Sequence, residues 1–227
     1  YGIDTARLFL VSAASPDKDM EWSDKGVEGS LRFVKKVLEC FDKVKIGKTS
    51  RRVESKINLA IKGITEDVEN FRYNFAVIKL RELFDSFEDE ISRRDLESFV
   101  KLFSVFCPHI GEELWENLGN RSFVCLSAWP EVDEKKIDEK FEEEEEAFEK
   151  TISDIANVLK IVGDKGKGAK KVFLYVLPTE IENYDAGEIG ARVGKEVKVY
   201  SVSDKAKYDP DGKAKKAKPW KPGIYVE

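Results

Sequence analysis

The sequence lacks several features that define common classes of protein. It has no run of about 18 apolar residues, so it offers no membrane-spanning helix. Its three cysteines, Cys40, Cys107 and Cys125, lie far apart and form no Cys-x-x-Cys pair, and His109 is its only histidine. We therefore expect no zinc site and no histidine-based catalytic triad within this chain. The cysteines are typical of reduced, buried thiols in a cytosolic protein.

Charge is abundant and unevenly distributed. Charged residues make up 37% of the chain and the formal net charge is −5. Acidic side chains concentrate between residues 131 and 149, whereas lysine and arginine cluster at 43–52, 160–171 and 205–221. A chain that is acidic as a whole can still bind RNA through local basic patches, so these clusters are candidate contacts with nucleic acid.

Apolar residues recur at helical spacing over most of the first 130 residues. The pattern predicts helices from about Asp4 to Ala14 and from about Asp24 to Asp42, with Ser23 or Asp24 as the second N-cap. Further stripes begin at Val53, Tyr73 and Leu96, and Pro108 begins a helix that Gly119 ends. The sequence therefore predicts a mainly α protein whose residues 1–134 form a helical bundle.

The composition changes after Pro130. The pattern predicts one long helix over Lys135–Val162, then a strand over 172–177, a helix over 179–193 and a strand over 196–202. A strand, a helix and a strand in about 30 residues favour a small βαβ unit, so residues 135–227 form a small α/β C-terminal domain. The glycine-rich stretch 163–168 is not a Walker A loop, because no Gly-Lys-Ser/Thr follows it.

The histidine and the tryptophans are candidates for functional roles, but the sequence favours structural roles for both. His109 follows Pro108 at a helix start, which indicates a packing or capping role. Trp22, Trp115 and Trp129 could stack on RNA bases, but their apolar neighbours favour packing in the core.

Several motifs resemble one family of enzymes. The run Tyr1–Leu10, followed by Trp22-Ser23-Asp24 and by Gly26-Val27-Glu28-Gly29 with Arg32-Phe33, is similar to the class I aminoacyl-tRNA synthetases for leucine, isoleucine and valine. The runs Pro108–Gly119 and Ser127–Pro130 match the end of their anticodon-binding bundle. The terminal run Pro219–Glu227 resembles the end of archaeal-type leucyl-tRNA synthetases.

The resemblance implies a function for the chain. It would be the C-terminal tRNA-binding region of a leucyl-tRNA synthetase of archaeal type, with no catalytic residues, metal or cofactor of its own and no activity alone. The parent would be a cytoplasmic leucine–tRNA ligase that uses ATP and Mg²⁺, has catalytic and editing domains upstream and binds no membrane. The alternatives are the same region of an isoleucyl or valyl enzyme, or a helical protein-interaction scaffold.

The basic clusters and the chain end supply the predicted contacts with leucine tRNA. We expect phosphate contacts from Lys48, Arg51, Arg52, Lys167, Lys170 and Lys221. The resemblance implies that the main chain of Val226 and the terminal carboxylate of Glu227 bind exposed bases of the long variable arm, while Ile224 and Tyr225 hold the segment in place. The alternative is that this apolar segment docks on its own small α/β domain.

Overall fold

The computed structural model describes residues 1–164 and 169–227, which form two compact units, Tyr1–Asp138 and Glu139–Glu227. We call them the helical unit and the C-terminal unit. The sequence placed the division after residue 134. The four residues that follow stay with the helical unit because Lys136 Nζ contacts Glu54 Oε1 at 2.5 Å and the Asp138 N–H donates to Ser55 Oγ at 2.9 Å.

The helical unit contains six α-helices and one two-stranded parallel pair. Its elements are α1 (Ile3–Ala13), α2 (Asp24–Lys43), β1 (Lys45–Ile46), α3 (Arg51–Glu69), α4 (Tyr73–Asp85), β2 (Glu90–Ile91), α5 (Arg93–Ser104) and α6 (Pro108–Asn117). Two 3-10 turns, Val124–Leu126 and Glu134–Lys136, follow. The element types confirm the predicted bundle.

Aromatic rings fill the centre of the helical unit. Phe99 and Phe103 are fully buried and stack at 5.8 Å, and Phe33 and Phe84 meet edge to face at 5.5 Å. Gly26 lets α1 and α2 approach each other, since a Cβ there would lie 2.5 Å from Cε2 of Phe9. The apolar stripes in the sequence are therefore the sides of the helices that face this core.

Helix ends in this unit use both predicted and unpredicted caps. Ser23 caps α2 by accepting the Gly26 N–H at 3.2 Å, and Gly119 follows α6 with φ +86°, as the sequence predicts. The cap of α6 comes from α1, because Asp4 Oδ2 accepts the Ile110 N–H at 2.8 Å. Asp4 Oδ1 also contacts His109 Nδ1 at 2.8 Å, so the histidine lies at a capped helix start.

The C-terminal unit is a three-stranded sheet with helices. Its elements are α7 (Glu139–Asp164), β3 (Lys171–Val176), α8 (Ala186–Val193), β4 (Glu196–Ser201) and β5 (Gly223–Val226), with 3-10 turns at Ile181–Asn183 and Lys213–Lys216. The strand order is β4-β3-β5, with β3 and β4 parallel and β3 and β5 antiparallel. The parallel pair joined by α8 is the predicted βαβ unit.

The two faces of this sheet are covered differently. On one face Val172, Leu174 and Val197 pack with Ile155 of α7 and Ile189 of α8. The other face carries a smaller and mainly aromatic cluster, which contains Phe173, Tyr175, Ala214, Tyr200, Val202 and Tyr225. The alternation of side chains along β3 thus serves two small cores.

Two helix starts and one strand differ most from the sequence prediction. The helix α7 begins at Glu139 because the 3-10 turn Glu134–Lys136 comes before it. The helix α8 begins at Ala186, not at Thr179, since Asp185 caps it by accepting the Glu188 N–H at 2.6 Å. The chain end, for which no strand was predicted, is the edge strand β5.

Among residues 1–164 and 169–227, no helix is long and apolar enough to cross a membrane. The same residues contain no group of three or more His, Cys, Asp or Glu side chains arranged to hold a metal ion.

Candidate nucleic-acid interface

Two helices of the helical unit begin side by side with the same three residues. Ser50 and Ser92 are the N-caps of α3 and α5, and each accepts the N–H of the residue three positions later. Two arginines follow each serine, at 51–52 and at 93–94. The parallel pairing of β1 with β2, which lie just before these caps, brings the two helix starts together.

A buried carboxylate fixes this arrangement. Asp95 is 8% exposed, and its Oδ2 accepts hydrogen bonds from Thr49 Oγ1 and, at 2.7 Å, from Ser92 Oγ. Thr49 Oγ1 in turn accepts the Ser92 N–H at 2.9 Å. The loop before α3 is thereby bound to the start of α5, so the cations on both helix starts have a rigid support.

We call Lys48, Arg51, Arg52, Arg93 and Arg94 the basic helix end. All five side chains are exposed. Arg51 lies 4.0 Å from Asp138, and Arg93 Nε donates to Glu97 Oε1 at 3.0 Å. Arg52 and Arg94 have no carboxylate partner within the described part of the chain. These two guanidinium groups can therefore bind an external anion without breaking an ion pair.

The electrostatics of the basic helix end suit phosphate. Helix N-termini present unpaired N–H groups and a partial positive charge, and guanidinium groups bind phosphate oxygens in pairs. The nearby carboxylates Glu88 and Glu90 are engaged in holding the loop. Glu90 Oε1 accepts the Lys48 N–H at 2.7 Å, and Glu88 Oε1 accepts from Ser50 Oγ at 2.9 Å.

Sequence reasoning singled out Lys48, Arg51 and Arg52 but missed Arg93 and Arg94. A signal for the second pair existed, because Ser-Arg-Arg occurs at 50–52 and again at 92–94. The sequence alone does not show that the two copies are neighbours, which depends on the strand pair between residues 45–46 and 90–91.

The predicted terminal residues form the edge strand β5. Ile224 and Val226 pack their side chains on the core between the sheet and its helices, while Tyr225 points to the opposite face, 5.9 Å from the ring of Phe173. Ile224 and Tyr225 hold the segment on its own unit, so the chain end docks there as the sequence analysis allowed. This docking leaves the predicted contacts with RNA bases untested.

The main chain of β5 has a paired side and an open side. Glu227 uses its N–H to bond the Lys171 carbonyl oxygen at 3.0 Å, and its own O accepts the N–H groups of Lys170 and Lys171 at 2.6 and 2.8 Å. In an antiparallel pair the bonded residues alternate, so the N–H and C=O groups of Ile224 and Val226 point away from β3. We call these four groups the open edge. None of the hydrogen bonds recorded within the described ranges uses them.

The structure separates the other predicted residues of this unit. Lys170 lies beside Glu227 at one end of β5, whereas Lys221 lies before the opposite end, in a turn closed by its bonds with Lys218. Lys167 lies outside the described residues. The ten predicted residues thus fall on the basic helix end, on β5 and its two ends, and on one position that the structure does not describe.

Only one of the three tryptophans and one of the three cysteines discussed above have the buried position that the sequence favoured. Trp115 is buried, but Trp22 is 57% exposed and Trp129 is 38% exposed, with its Nε1 donating to Thr65 Oγ1 at 2.7 Å. Burial raises the pKa of the Cys107 thiol to about 12, so this thiol stays protonated. Cys40 is half-buried and Cys125 is exposed, which corrects the prediction that all three thiols are buried.

Comparison with known proteins identifies the class to which this architecture belongs. Residues 50–173, more than half of the chain, match the family model described as the anticodon-binding domain of tRNA ligase. The chain therefore belongs to the family of anticodon-binding domains of tRNA ligases.

The relatives narrow this class. The chain is 33% identical to a leucine–tRNA ligase of Crocosphaera subtropica over 219 residues, which cover 87% of this chain and 24% of that protein. It is 34% identical to the leucine–tRNA ligase of Rickettsia bellii over 151 residues, and 37% identical to that of Orientia tsutsugamushi over 150 residues. Each of these two matches covers 61% of this chain and 18% of the relative. The chain thus spans about a quarter or less of these relatives.

A solved structure with some likeness is the ternary complex of Agrobacterium radiobacter K84 agnB2 LeuRS with tRNA and LeuAMS, at 22% identity and a TM-score of 0.48. The likeness covers 60% of this chain and 20% of that one. The chain is an anticodon-binding region similar to those of leucine–tRNA ligases. The named relatives are bacterial, so they do not confirm the archaeal type.

Proposed function

We propose that this chain positions leucine tRNA for leucylation by the catalytic core of a leucine–tRNA ligase. One observation carries the proposal. The similarity to the Crocosphaera subtropica leucine–tRNA ligase extends over 87% of the chain, well beyond the 50–173 segment that matches the family model. A relationship of this length favours a shared role for the helical and the C-terminal units.

The basic helix end and the open edge of β5 would bind different parts of the tRNA. The basic helix end suits the phosphate backbone, because Arg52 and Arg94 are exposed cations without an ion-pair partner in the described ranges. The open edge of β5 suits unpaired bases, since its N–H and C=O groups are one donor and one acceptor per residue. The C-terminal edge would read the long variable arm of leucine tRNA, as the archaeal-type end of the sequence implies.

The rest of the parent enzyme would carry the chemistry. Leucine activation with ATP and Mg²⁺, the transfer to tRNA and editing would take place on upstream domains of a cytoplasmic enzyme. This chain alone would be inactive. Its contribution would be geometric, because the place where the tRNA body docks determines where its acceptor end arrives.

Two alternative functions predict different tRNA binding. The same region of an isoleucyl or valyl enzyme would prefer its own tRNA, but each of the relatives named above is a leucine enzyme. A helical protein-interaction scaffold would bind no tRNA.

A titration of the chain with fluorescein-labelled tRNA, followed by anisotropy, separates these candidates. We expect leucine tRNA to bind more tightly than valine or isoleucine tRNA, and its affinity to fall by about tenfold or more between about 50 and 200 mM salt. Absence of binding at low salt would identify the scaffold, and a preference for valine or isoleucine tRNA would identify the second candidate. An affinity that does not change with salt would contradict the phosphate contacts.

A further inference from the structure

The turn before β5 holds a tryptophan in an unusual backbone conformation. The main-chain groups of Lys218 and Lys221 bond each other at 2.9 and 3.0 Å, with Pro219 and Trp220 between them. Trp220 has φ +56°. A turn with proline second and a positive φ third is of type II, in which the third position favours glycine or asparagine. A bulky side chain there strains the backbone.

A buried carboxylate holds this turn. Glu180 is 4% exposed, and its Oε1 accepts the Trp220 N–H at 3.1 Å. Its Oε2 is buried and has no hydrogen-bond partner within the described ranges. Burying a carboxylate is costly unless it is fully paired. The strained tryptophan and the incompletely paired carboxylate that supports it therefore occur in the same turn.

Packing in the core does not explain the tryptophan. Trp220 belongs to neither hydrophobic cluster of the C-terminal unit, although both clusters include residues of the strand β5 that follows it. Its side chain is half-buried, and two exposed lysines, Lys218 and Lys221, flank it in the sequence of the turn. The 3-10 turn just before it adds the exposed side chains of Lys215 and Lys216.

We propose that Trp220 stacks on an unpaired base of the bound RNA, and that Lys218 and Lys221 contact the phosphates on either side of that base. A tryptophan with exposed lysines in the same turn offers both kinds of contact that a nucleotide takes, because bases stack on aromatic rings and phosphates pair with cations. The proposal rests on the proposed function, which supplies RNA as the partner. It adds a contact at the end of β5 opposite Glu227.

The test uses the full chain and three variants. Trp220→Gly removes the indole and also relieves the positive φ, Trp220→Phe keeps an aromatic face, and Phe71→Gly is the matched control. Phe71 is the other non-glycine residue in the described ranges with a positive φ, at +57°, and its side chain is 67% exposed in the helical unit. Each protein is measured for its Kd with labelled leucine tRNA and for its Tm.

We expect Trp220→Gly to weaken tRNA binding by about tenfold while its Tm stays equal to or above that of the unchanged chain. Trp220→Phe should bind within about threefold of the unchanged chain, because stacking tolerates a change of ring. Phe71→Gly should leave the Kd unchanged.

Three results would overturn the inference. They are an unchanged Kd for Trp220→Gly, a Tm that falls together with the affinity, and a Trp220→Phe variant as weak as the glycine variant. Each of these leaves the proposed function in place if the unchanged chain binds leucine tRNA in a salt-dependent manner. A chain that binds no tRNA fails the proposed function itself.

Discussion

The candidate binding surfaces of the helical unit and the C-terminal unit differ in chemical character. The helical unit offers charge on a rigid support, with two helix starts and exposed arginines tied together through Asp95. The C-terminal unit offers main-chain groups and aromatic rings, on the open edge of β5 and in the turn with Trp220. Charge on helix ends suits a uniform phosphate backbone, whereas a strand edge suits individual bases. The comparison therefore predicts that the helical unit contributes affinity for any tRNA, whereas discrimination between tRNAs resides in the C-terminal unit.

The cores of the two units differ as much as their surfaces. Phe103 of the helical unit is fully buried and stacks on Phe99. We expect Phe103→Ala to lower the free energy of unfolding by about 3–5 kcal/mol, because it removes a large ring and leaves a cavity. Hydrogen exchange followed by mass spectrometry should show the loss of protection in α3 to α5.

The control for this change is Phe123→Ala, since Phe123 is 65% exposed. It should alter stability by no more than about 0.5 kcal/mol. Equal losses of protection in β3 and β4 of Phe103→Ala would show that the two units do not have separate cores.

Removing the carboxylate that supports the basic helix end should have a smaller effect, which is measured both as stability and as tRNA affinity. Asp95→Ala leaves the hydroxyl groups of Thr49 and Ser92 without their acceptor, so we expect a loss of about 1–3 kcal/mol in the free energy of unfolding. Affinity for all tRNAs should fall alike, because the loop before α3 loses its anchor. Urea unfolding and anisotropy measure the two effects.

Asp89→Ala is the matched control, since it removes an exposed carboxylate in the same loop region. It should leave stability and affinity nearly unchanged. If Asp95→Ala loses stability but keeps its tRNA affinity, the hydrogen bonds of Asp95 have no role in RNA binding.

The smallest effect concerns an exposed ion pair of the C-terminal unit. Arg192 of α8 bonds both oxygens of Glu149 on α7, at 2.5 and 2.8 Å, and the hydrogen bond lowers the pKa of Glu149. Because the folded pKa is lowered, the pair stabilises the fold above the unfolded pKa of about 4.3, and this contribution is lost as pH falls through the folded value. Both side chains are about half exposed, so solvent screens the pair and Arg192→Ala should cost no more than about 0.5 kcal/mol at pH 7.

Thermal unfolding of the unchanged chain and of Arg192→Ala across pH 2 to 7 measures this difference, which should vanish at the acid end of the series. A difference that grows as pH falls would contradict the assigned direction of the Glu149 pKa. Arg192→Lys, which keeps the charge, should lie between the two proteins.

Local patterns predicted the helices well, and long-range contacts explain what the sequence missed. The apolar stripes of α2 and α3 and the cap Ser23 are visible within a few residues, because a helix is stabilised by neighbours three and four positions apart. The cap of α6 by Asp4 joins residues 106 positions apart, and the Thr49–Asp95 bond joins residues 46 apart. The spacing of apolar residues within one stretch of sequence carries no information about such long-range pairs.

The chain end was harder to interpret for a related reason. The run from Gly223 to Val226 is only four residues long, and its pairing partner β3 lies about 50 positions earlier. The sequence suggested that this apolar segment docks on something, but strand pairing decides which of its main-chain groups are used. The candidate site was therefore predicted as a set of residues, whereas its division between two units came from the structure.

The claim that one unit binds phosphates and the other reads bases is tested most directly by one ratio of dissociation constants. The ratio compares leucine tRNA whose variable arm is shortened with unaltered leucine tRNA, and it is measured on the unchanged chain and on the double variant Arg52→Glu/Arg94→Glu. We predict that the double variant weakens both dissociation constants by a similar factor and leaves the ratio as large as in the unchanged chain, at about ten or more. A ratio near one in the unchanged chain, or a ratio that collapses in the double variant, would contradict the separation of phosphate binding from base reading.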